Sequence, residues 1–451
     1  MATFDKKAPG VYVEEISKLP PSVASVATAI PGFVGYTERG TKNTAIRVES
    51  LIDFEEKFGY ACKIAISEED KINGLEYKLH ESMRLFYANG GGICYVVSVG
   101  NYTDAISNTA LETGISMLEP IDEVTMIVVP DAVSLEIKDL ASVQNAALAQ
   151  CLELKDRVAI LDVKDTGNCN TDATKFRNSI GTKGASYGAA YYPYIKSVYD
   201  REINVYDIYK GLELSNQELE NAQYYAELSE PTEESTLFAK QLMSKPEYAK
   251  LVAKIQEQAN LLPPSGAIAG IYCANDNQRG VWHAPANMSV SGISDINVRI
   301  SDKQQGELNE NTSGKCINAI RAFQGKGILV WGARTLDGLS SEWKYISVRR
   351  FFNYVEESIQ ESTAWAVFQP NDANTWVKVR CQIENFLSNL WRDGALAGST
   401  PQEAFYVRVG INQTMTAQDI LNGYMIVEIG MAAVRPAEFI VLQFSHKLQE
   451  S

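Results

Sequence analysis

The sequence predicts a mixed α/β protein of more than one domain, and three observations predict it. A chain of 451 residues exceeds what one hydrophobic core usually organises. Residues 124–163 carry an apolar run, a helix-forming stretch and a second apolar run, the pattern of a β-α-β unit with parallel strands. A further α/β pattern follows residue 300, where helical spacing over 351–363 and 373–391 sits among strand-like runs.

Composition narrows the function. Apolar residues make up 45% and charged residues 22%, ordinary globular values. The formal charge is −15 with pI near 4.9, and no Lys/Arg run builds the basic face that phosphate neutralisation requires. Nucleic-acid binding is therefore not expected, while net negative charge keeps a concentrated subunit soluble. Cys62, Cys94, Cys151, Cys169, Cys273, Cys316 and Cys381 include no Cys-x-x-Cys pair, so reduced thiols are expected. His80, His283 and His446 are too scattered for a metal motif, and no metal or cofactor is expected. The first residues lack the apolar core of a signal peptide and no apolar run is long enough to span a bilayer. The expectation is a soluble chain made in the cytosol, without membrane insertion.

Residues 1–20 read as an arm. Pro9-Gly10 breaks local structure, Val11-Tyr12-Val13-Glu14-Glu15-Ile16 alternates as a strand, and Pro20-Pro21 stiffens the chain beyond it. Such a strand either pairs within its own domain or adds to the sheet edge of a neighbour. Residues 26–59 hold short strands and turns. Leu75, Leu79 and Met83 place a helix over 74–89, closed by Gly90-Gly91-Gly92. A phosphate cradle would need those glycines to open a helix rather than end one. Ile93 to Val99 comes next as a buried strand.

The β-α-β unit comprises a strand over 124–129, a helix over 140–154 and a strand over 157–163. Ligands of open α/β sheets sit beyond the carboxyl ends of the strands, here near Pro130-Asp131 and Asp162–Asp165. The dinucleotide glycines are missing after the first strand, and strand-end aspartates are more often caps or turn residues. Residues 184–194 alternate small and aromatic residues and suit a packed strand better than a base-stacking platform. Residues 196–261 are rich in Glu, Gln and Lys, with helices expected near 215–228 and 235–259. Asp276, Arg279 and Trp282 invite a catalytic reading, yet an Arg beside Asp and Asn more often ties a loop together. Ile328 to Trp331 is wholly apolar and reads as a central strand. On the helix over 373–391, Trp376, Val379, Ile383, Phe386, Leu387 and Leu390 share one face. Lys378 and Arg392 point away from that face and Arg380 lies on its flank. Residues 438–444 alternate as one more strand.

Several blocks, in order, resemble contractile tail sheath proteins, the sleeves of contractile-tailed phages, R-type pyocins and phage-tail-like injection systems. They are the Pro-Gly-Val-Tyr-Val-Glu-Glu start at Pro9, Leu262-Pro-Pro-Ser-Gly-Ala-Ile-Ala-Gly, Asn275-Asp-Asn-Gln-Arg-Gly-Val-Trp, Gly327-Ile-Leu-Val-Trp-Gly-Ala-Arg, Trp343-Lys-Tyr-Ile-Ser-Val-Arg-Arg-Phe, Val367-Phe-Gln-Pro-Asn-Asp, Glu403-Ala-Phe-Tyr-Val-Arg and Arg435-Pro-Ala-Glu-Phe. The resemblance covers nearly the whole chain except 196–261, and departs at Gln369, where many relatives have Glu, and over Gly430–Val434, where Ala-Pro is common.

The resemblance implies a multi-domain tail-sheath fold. An arm over 1–20 precedes an outer α/β domain over 21–300 containing the helical insertion 196–261; an inner C-terminal α/β domain over 301–436 faces the tube, and a second arm occupies 437–451. It implies a non-enzymatic subunit that polymerises helically with itself around an inner tube protein and meets baseplate and tail-terminator or cap proteins at its ends. Assembly would be cytoplasmic, within a phage tail or a released or cell-anchored particle. The arms would exchange strands between subunits through Val11, Tyr12, Val13, Glu14, Glu15, Phe439, Ile440, Val441, Leu442 and Phe444. Lys378 and Arg380 would touch the tube. The competing reading is a nucleotide-dependent enzyme on residues 124–163, which lacks a phosphate loop, a nucleophile motif and a metal cluster.

Overall fold

The computed structural model describes residues 23–67, 71–228, 230–310 and 312–439. Apolar runs at Pro31–Thr37 (β1), Ala45–Val48 (β2), Cys94–Asn101 (β3), Met126–Val128 (β4), Val158–Asp162 (β5), Gly188–Tyr192 (β6), Met288–Ser289 (β7), Asn318–Phe323 (β8) and Gly327–Val330 (β9) pair into a nine-stranded sheet. Its order is β7-β9-β8-β6-β5-β4-β1-β3-β2. The strands from β8 to β3 are mutually parallel, while β2 at one end and β9 and β7 at the other are antiparallel additions.

Parallel strands covered on both faces are apolar throughout rather than alternating, and every residue of β1, β5 and β6 is buried. Helices Leu79–Ala88 (α1), Asn108–Ser116 (α2), Ile137–Leu154 (α3) and Ser265–Arg279 (α4) supply the cover. Successive strand residues face opposite sides. Val34, Val97, Ile127 and Leu161 pack with α2 and α3, whereas Phe33, Val96, Val128 and Ile160 pack with α1 and α4. The Ser265-Gly-Ala-Ile-Ala-Gly run has a steric cause. A Cβ on Gly266 would stand 2.5 Å from the Ser82 carbonyl oxygen, and one on Gly270 would stand 2.3 Å from that of Phe86. Glycines four residues apart share a helix face and let α4 lie against the α1 backbone.

The β-α-β unit forms as the sequence indicates, as β4-α3-β5 with β4 and β5 parallel. Its strand-end acids serve the backbone. Asp131 accepts from the Tyr36 N–H at 2.7 Å and the Lys78 N–H at 2.5 Å, so it seats the start of α1. Asp162 accepts from the Ser265 N–H at 2.9 Å and does the same for α4. Asp165 accepts from the N–H groups of Gly167 and Tyr194 at 2.8 and 2.9 Å. The cavity lined by Asp162, Gln144 and Leu140 measures about 10 Å³, room for a water; small-molecule sites need roughly 300 Å³ or more. Burial pushes Asp131 up to about 7, against the stabilising N–H groups of Tyr36, Lys78 and Leu79. Burial likewise pushes Asp162 up to about 7, against the hydrogen bonds from Ser265.

Three expectations change. Strand β9 is next to the edge rather than central, with only the two-residue β7 beyond it. Its apolar content reflects cover on its faces, where Val330 and Ile328 join the α1/α4 cluster. The stretch 235–259 is two helices, Glu233–Met243 and Pro246–Ala259, because Pro246 begins a new first turn. Together with Asn216–Ala226 they rise from a hairpin in which Ile195–Ser197 and Leu261–Leu262 pair antiparallel. The insertion has its own small core of Val205, Phe238 and Leu242, and Ile255 packs with Ile64. Arg201 at its foot donates to the Tyr77 carbonyl at 2.8 Å.

The third change is the domain boundary. The structure divides into a large unit, 26–356 with 434–439, and a small unit, 23–25 with 357–433. The break expected at 300/301 fails because β8 and β9 extend the large sheet. The first half of helix Ile346–Thr363 (α5) also belongs to the large unit. Arg350 meets Asp276 at 3.0 and 2.5 Å and donates to the Thr28 carbonyl at 2.8 Å. Arg349 lies over the Trp343 ring at 3.9 Å and the Tyr187 ring at 4.7 Å. Asp276 thus ties a helix 74 residues away, while Arg279 is exposed and Trp282 half-buried. In the small unit, Ala24 N–H donates to Ser362 Oγ at 3.1 Å. Helix Ala373–Arg392 (α6) buries Val379, Ile383, Phe386, Leu387 and Leu390, with Trp376 half-buried and bonded to Asn371.

Two outcomes are expected. Asp276→Ala strands the buried Arg350 and should destabilise the large unit by about 3–5 kcal/mol in denaturant titration; less than about 1 kcal/mol would refute a structural role for the pair. Asp162 ionises at higher pH folded than unfolded, so its contribution makes stability fall as pH rises from about 4 to about 7. Asp162→Asn should flatten that slope in denaturant midpoints measured across the window, and an unchanged slope would refute the assignment.

Candidate assembly interface

The small unit carries one short antiparallel ribbon, Phe405–Arg408 (β10) with Glu428–Met431 (β11). Its register pairs Phe405 with Met431, Tyr406 with Gly430, Val407 with Ile429 and Arg408 with Glu428. Period-two alternation gives the ribbon two unlike faces. Val407 is buried, and Phe405, Ile429 and Met431 are half-buried on its side. On the other side Tyr406 Oη donates to Glu428 at 2.9 Å, and Arg408 lies over the Tyr406 ring at 4.6 Å. Gly430 is required beneath that ring, because a Cβ there would stand 2.2 Å from it.

Among the described residues no third strand pairs with β10 or β11. Each strand therefore offers outer N–H and C=O groups, the feature to which an added strand binds, although the Phe405 N–H already donates to the Pro401 carbonyl. Beside β11 runs an open groove of about 740 Å³, lined by Ile359, Val379, Ile383, Met425, Val427 and Ile429. Phe368 stands on its rim, fully exposed, at φ +63, a left-handed backbone that bulky residues avoid. Asn371 fixes this rim by donating to the Tyr424 carbonyl at 2.9 Å.

The expected site residues fare unevenly. Lys378 is exposed on α6, and Arg380 is half-buried with Glu384 at 3.8 Å. Val11, Tyr12, Val13, Glu14, Glu15, Ile440, Val441, Leu442 and Phe444 lie outside the described residues. Phe439 is 72% exposed, and neither it nor Glu438 is in a strand. Of the strand expected over 438–444 only Glu438 and Phe439 are described, and the Glu438 side chain meets Arg334 at 2.6 Å. Sequence reasoning missed the ribbon and the groove. The alternation of Phe405 and Val407 with Tyr406 and Arg408 was a usable signal.

Comparison with known proteins places this geometry. Residues 100–336 match the phage tail sheath protein central domain, and residues 340–447 match the phage tail sheath C-terminal domain. The chain is 31% identical to the PVC sheath of an extracellular contractile injection system in its contracted state. That match covers 99% of each chain with a TM-score of 0.68. It is 30% identical to the helical sheath of the anti-feeding prophage in its contracted state, over 97% of this chain and 99% of that one, with a TM-score of 0.67. It is 23% identical over 192 residues to the tail sheath protein of Vibrio phage KVP40, covering 42% of this chain and only 27% of the phage protein.

Proposed function

Because the chain belongs to the phage tail sheath family, we infer that it is a structural subunit of a contractile sheath. It polymerises helically around an inner tube, and contraction of the polymer drives that tube forward. The observation that carries this reading is the β10–β11 ribbon, which no third strand joins among the described residues. Terminal segments 1–20 and 437–451 of neighbouring copies are the strands that complete it. Each added strand would form roughly four or five ladder bonds, each contributing about 1 kcal/mol net, plus the apolar area it covers. These links persist while the bodies of the subunits move from a metastable packing to a second one. A modest free-energy difference per subunit, multiplied over the polymer, supplies the work without nucleotide consumption. The function is therefore non-enzymatic, in keeping with strand-end acids that serve backbone N–H groups.

Lys378 and Arg380 on α6 are the proposed contacts to an acidic tube surface, Lys378 being the more exposed and Arg380 facing Glu384. Baseplate and tail-terminator proteins meet the ends of the polymer. Assembly takes place in the cytoplasm, and the product is a phage tail or a phage-tail-like particle.

Removing residues 1–18 should abolish sleeves in negative-stain images while the far-UV spectrum and unfolding midpoint of the monomer persist. Normal sleeves from the truncated chain would reject strand exchange by the N-terminal arm. Lys378→Glu with Arg380→Glu should impair co-sedimentation with the tube protein without altering the monomer's unfolding. Unchanged co-sedimentation would reject those positions.

A further inference from the structure

Glu438 stands at the root of the proposed C-terminal arm, 437–451, in a stretch, 434–439, that forms neither helix nor strand. Its carboxylate is held by a buried guanidinium. Arg334, 1% exposed, donates through Nε to Oε1 at 2.9 Å and through Nη2 to Oε2 at 2.6 Å. Tyr345 Oη also donates to Oε2, at 3.0 Å.

Arg334 is anchored in turn. Its N–H donates to Asn318 Oδ1 at 2.7 Å, and Asn318 Nδ2 donates back to the Arg334 carbonyl at 2.8 Å. Asn318 opens β8, a strand of the large sheet. A continuous path of short polar bonds thus runs from the root of the arm into the sheet. Although burial works against it, Arg334 holds the Glu438 carboxyl below its usual range.

We propose that Arg334 and Glu438 form a latch that fixes where the C-terminal arm leaves the body and delivers tension on that arm into the large sheet. The proposal rests on exchange of residues 437–451 between subunits. The physical reason is that withdrawing Glu438 leaves a buried Arg without its counter-ion, a far larger penalty than peeling away an exposed segment. A bidentate Arg–carboxylate pair also fixes direction as well as distance, so a lent strand starts from one point at one angle. The Pro-Ala-Glu-Phe block acquires a role for its Glu.

Hydrogen exchange in the full-length soluble chain tests the latch. Glu438→Ala should speed exchange of residues 434–439 by about tenfold or more. Because that variant strands Arg334, a double variant, Arg334→Met with Glu438→Gln, removes the buried charge together with its partner. It should also speed exchange of 434–439 while its unfolding midpoint stays at the wild-type value, which separates a latch from general destabilisation. Sleeves assembled from the double variant should break under milder shear than wild-type sleeves. Wild-type exchange in both variants overturns the latch. So do sleeves of wild-type strength from the double variant when removal of residues 440–451 abolishes assembly, an outcome that leaves strand exchange intact. Assembly that survives removal of 440–451 overturns the exchange reading itself, and the latch with it.

Discussion

A two-stranded ribbon leaves one row of backbone donors and acceptors unpaired along each outer edge, and such ribbons are marginal by themselves in water. β10 and β11 meet this constraint with one apolar side and one locked polar side. On the polar side Tyr406, Arg408 and Glu428 hold one another across the strands, and Gly430 makes room for the Tyr406 ring. The ribbon is therefore ordered enough to present its edges, and among the described residues no further strand completes either. The groove beside β11 repeats the pattern in side chains, since it gathers Val427 and Ile429 with helix residues and leaves them open.

The large sheet treats its edges in the opposite way. Its parallel centre is buried on both faces, and its ends are closed by the antiparallel β2 and the two-residue β7. Very short edge strands are one means by which proteins prevent unwanted pairing. Strand addition is thus blunted at the β7 end of the large sheet. The insertion follows the same economy. It enters between two strands that pair with each other, Ile195–Ser197 and Leu261–Leu262, in a sheet separate from the large one.

Local signals made much of the fold legible. The apolar runs of β3, β4 and β5 identified strands, and the three-and-four spacing on α6 identified the residues it buries. The glycines at 266 and 270 were recognised as part of a motif, but their reason required seeing α1 alongside. The features that stayed hidden depend on distant pairs. Asp276 finds Arg350 across 74 residues and Arg334 finds Glu438 across 104, and neither separation leaves a periodicity to detect. The domain boundary was misplaced because β8 and β9 join the large sheet and Arg350 ties the first half of α5 to Asp276, pairings that leave no local signal. The four-residue strands of the ribbon were too short to stand out from their surroundings, although their alternation was present.

A sleeve that shortens must keep some bonds while exchanging others, and the chemistry here divides along that line. Ladder bonds of an added strand are numerous, individually weak and independent of side-chain identity, so they tolerate changes of twist without loss of register. Buried bidentate pairs such as Arg350–Asp276 and Arg334–Glu438 behave differently, because each is costly to open and admits one geometry. In the proposed assembly the rigid pairs lie inside the body and the compliant ladder between bodies, so strain would accumulate in the ladder. A subunit organised in this way could change its packing against its neighbours without unfolding, and under the proposed exchange the arm would be only as dependable as the point from which it departs.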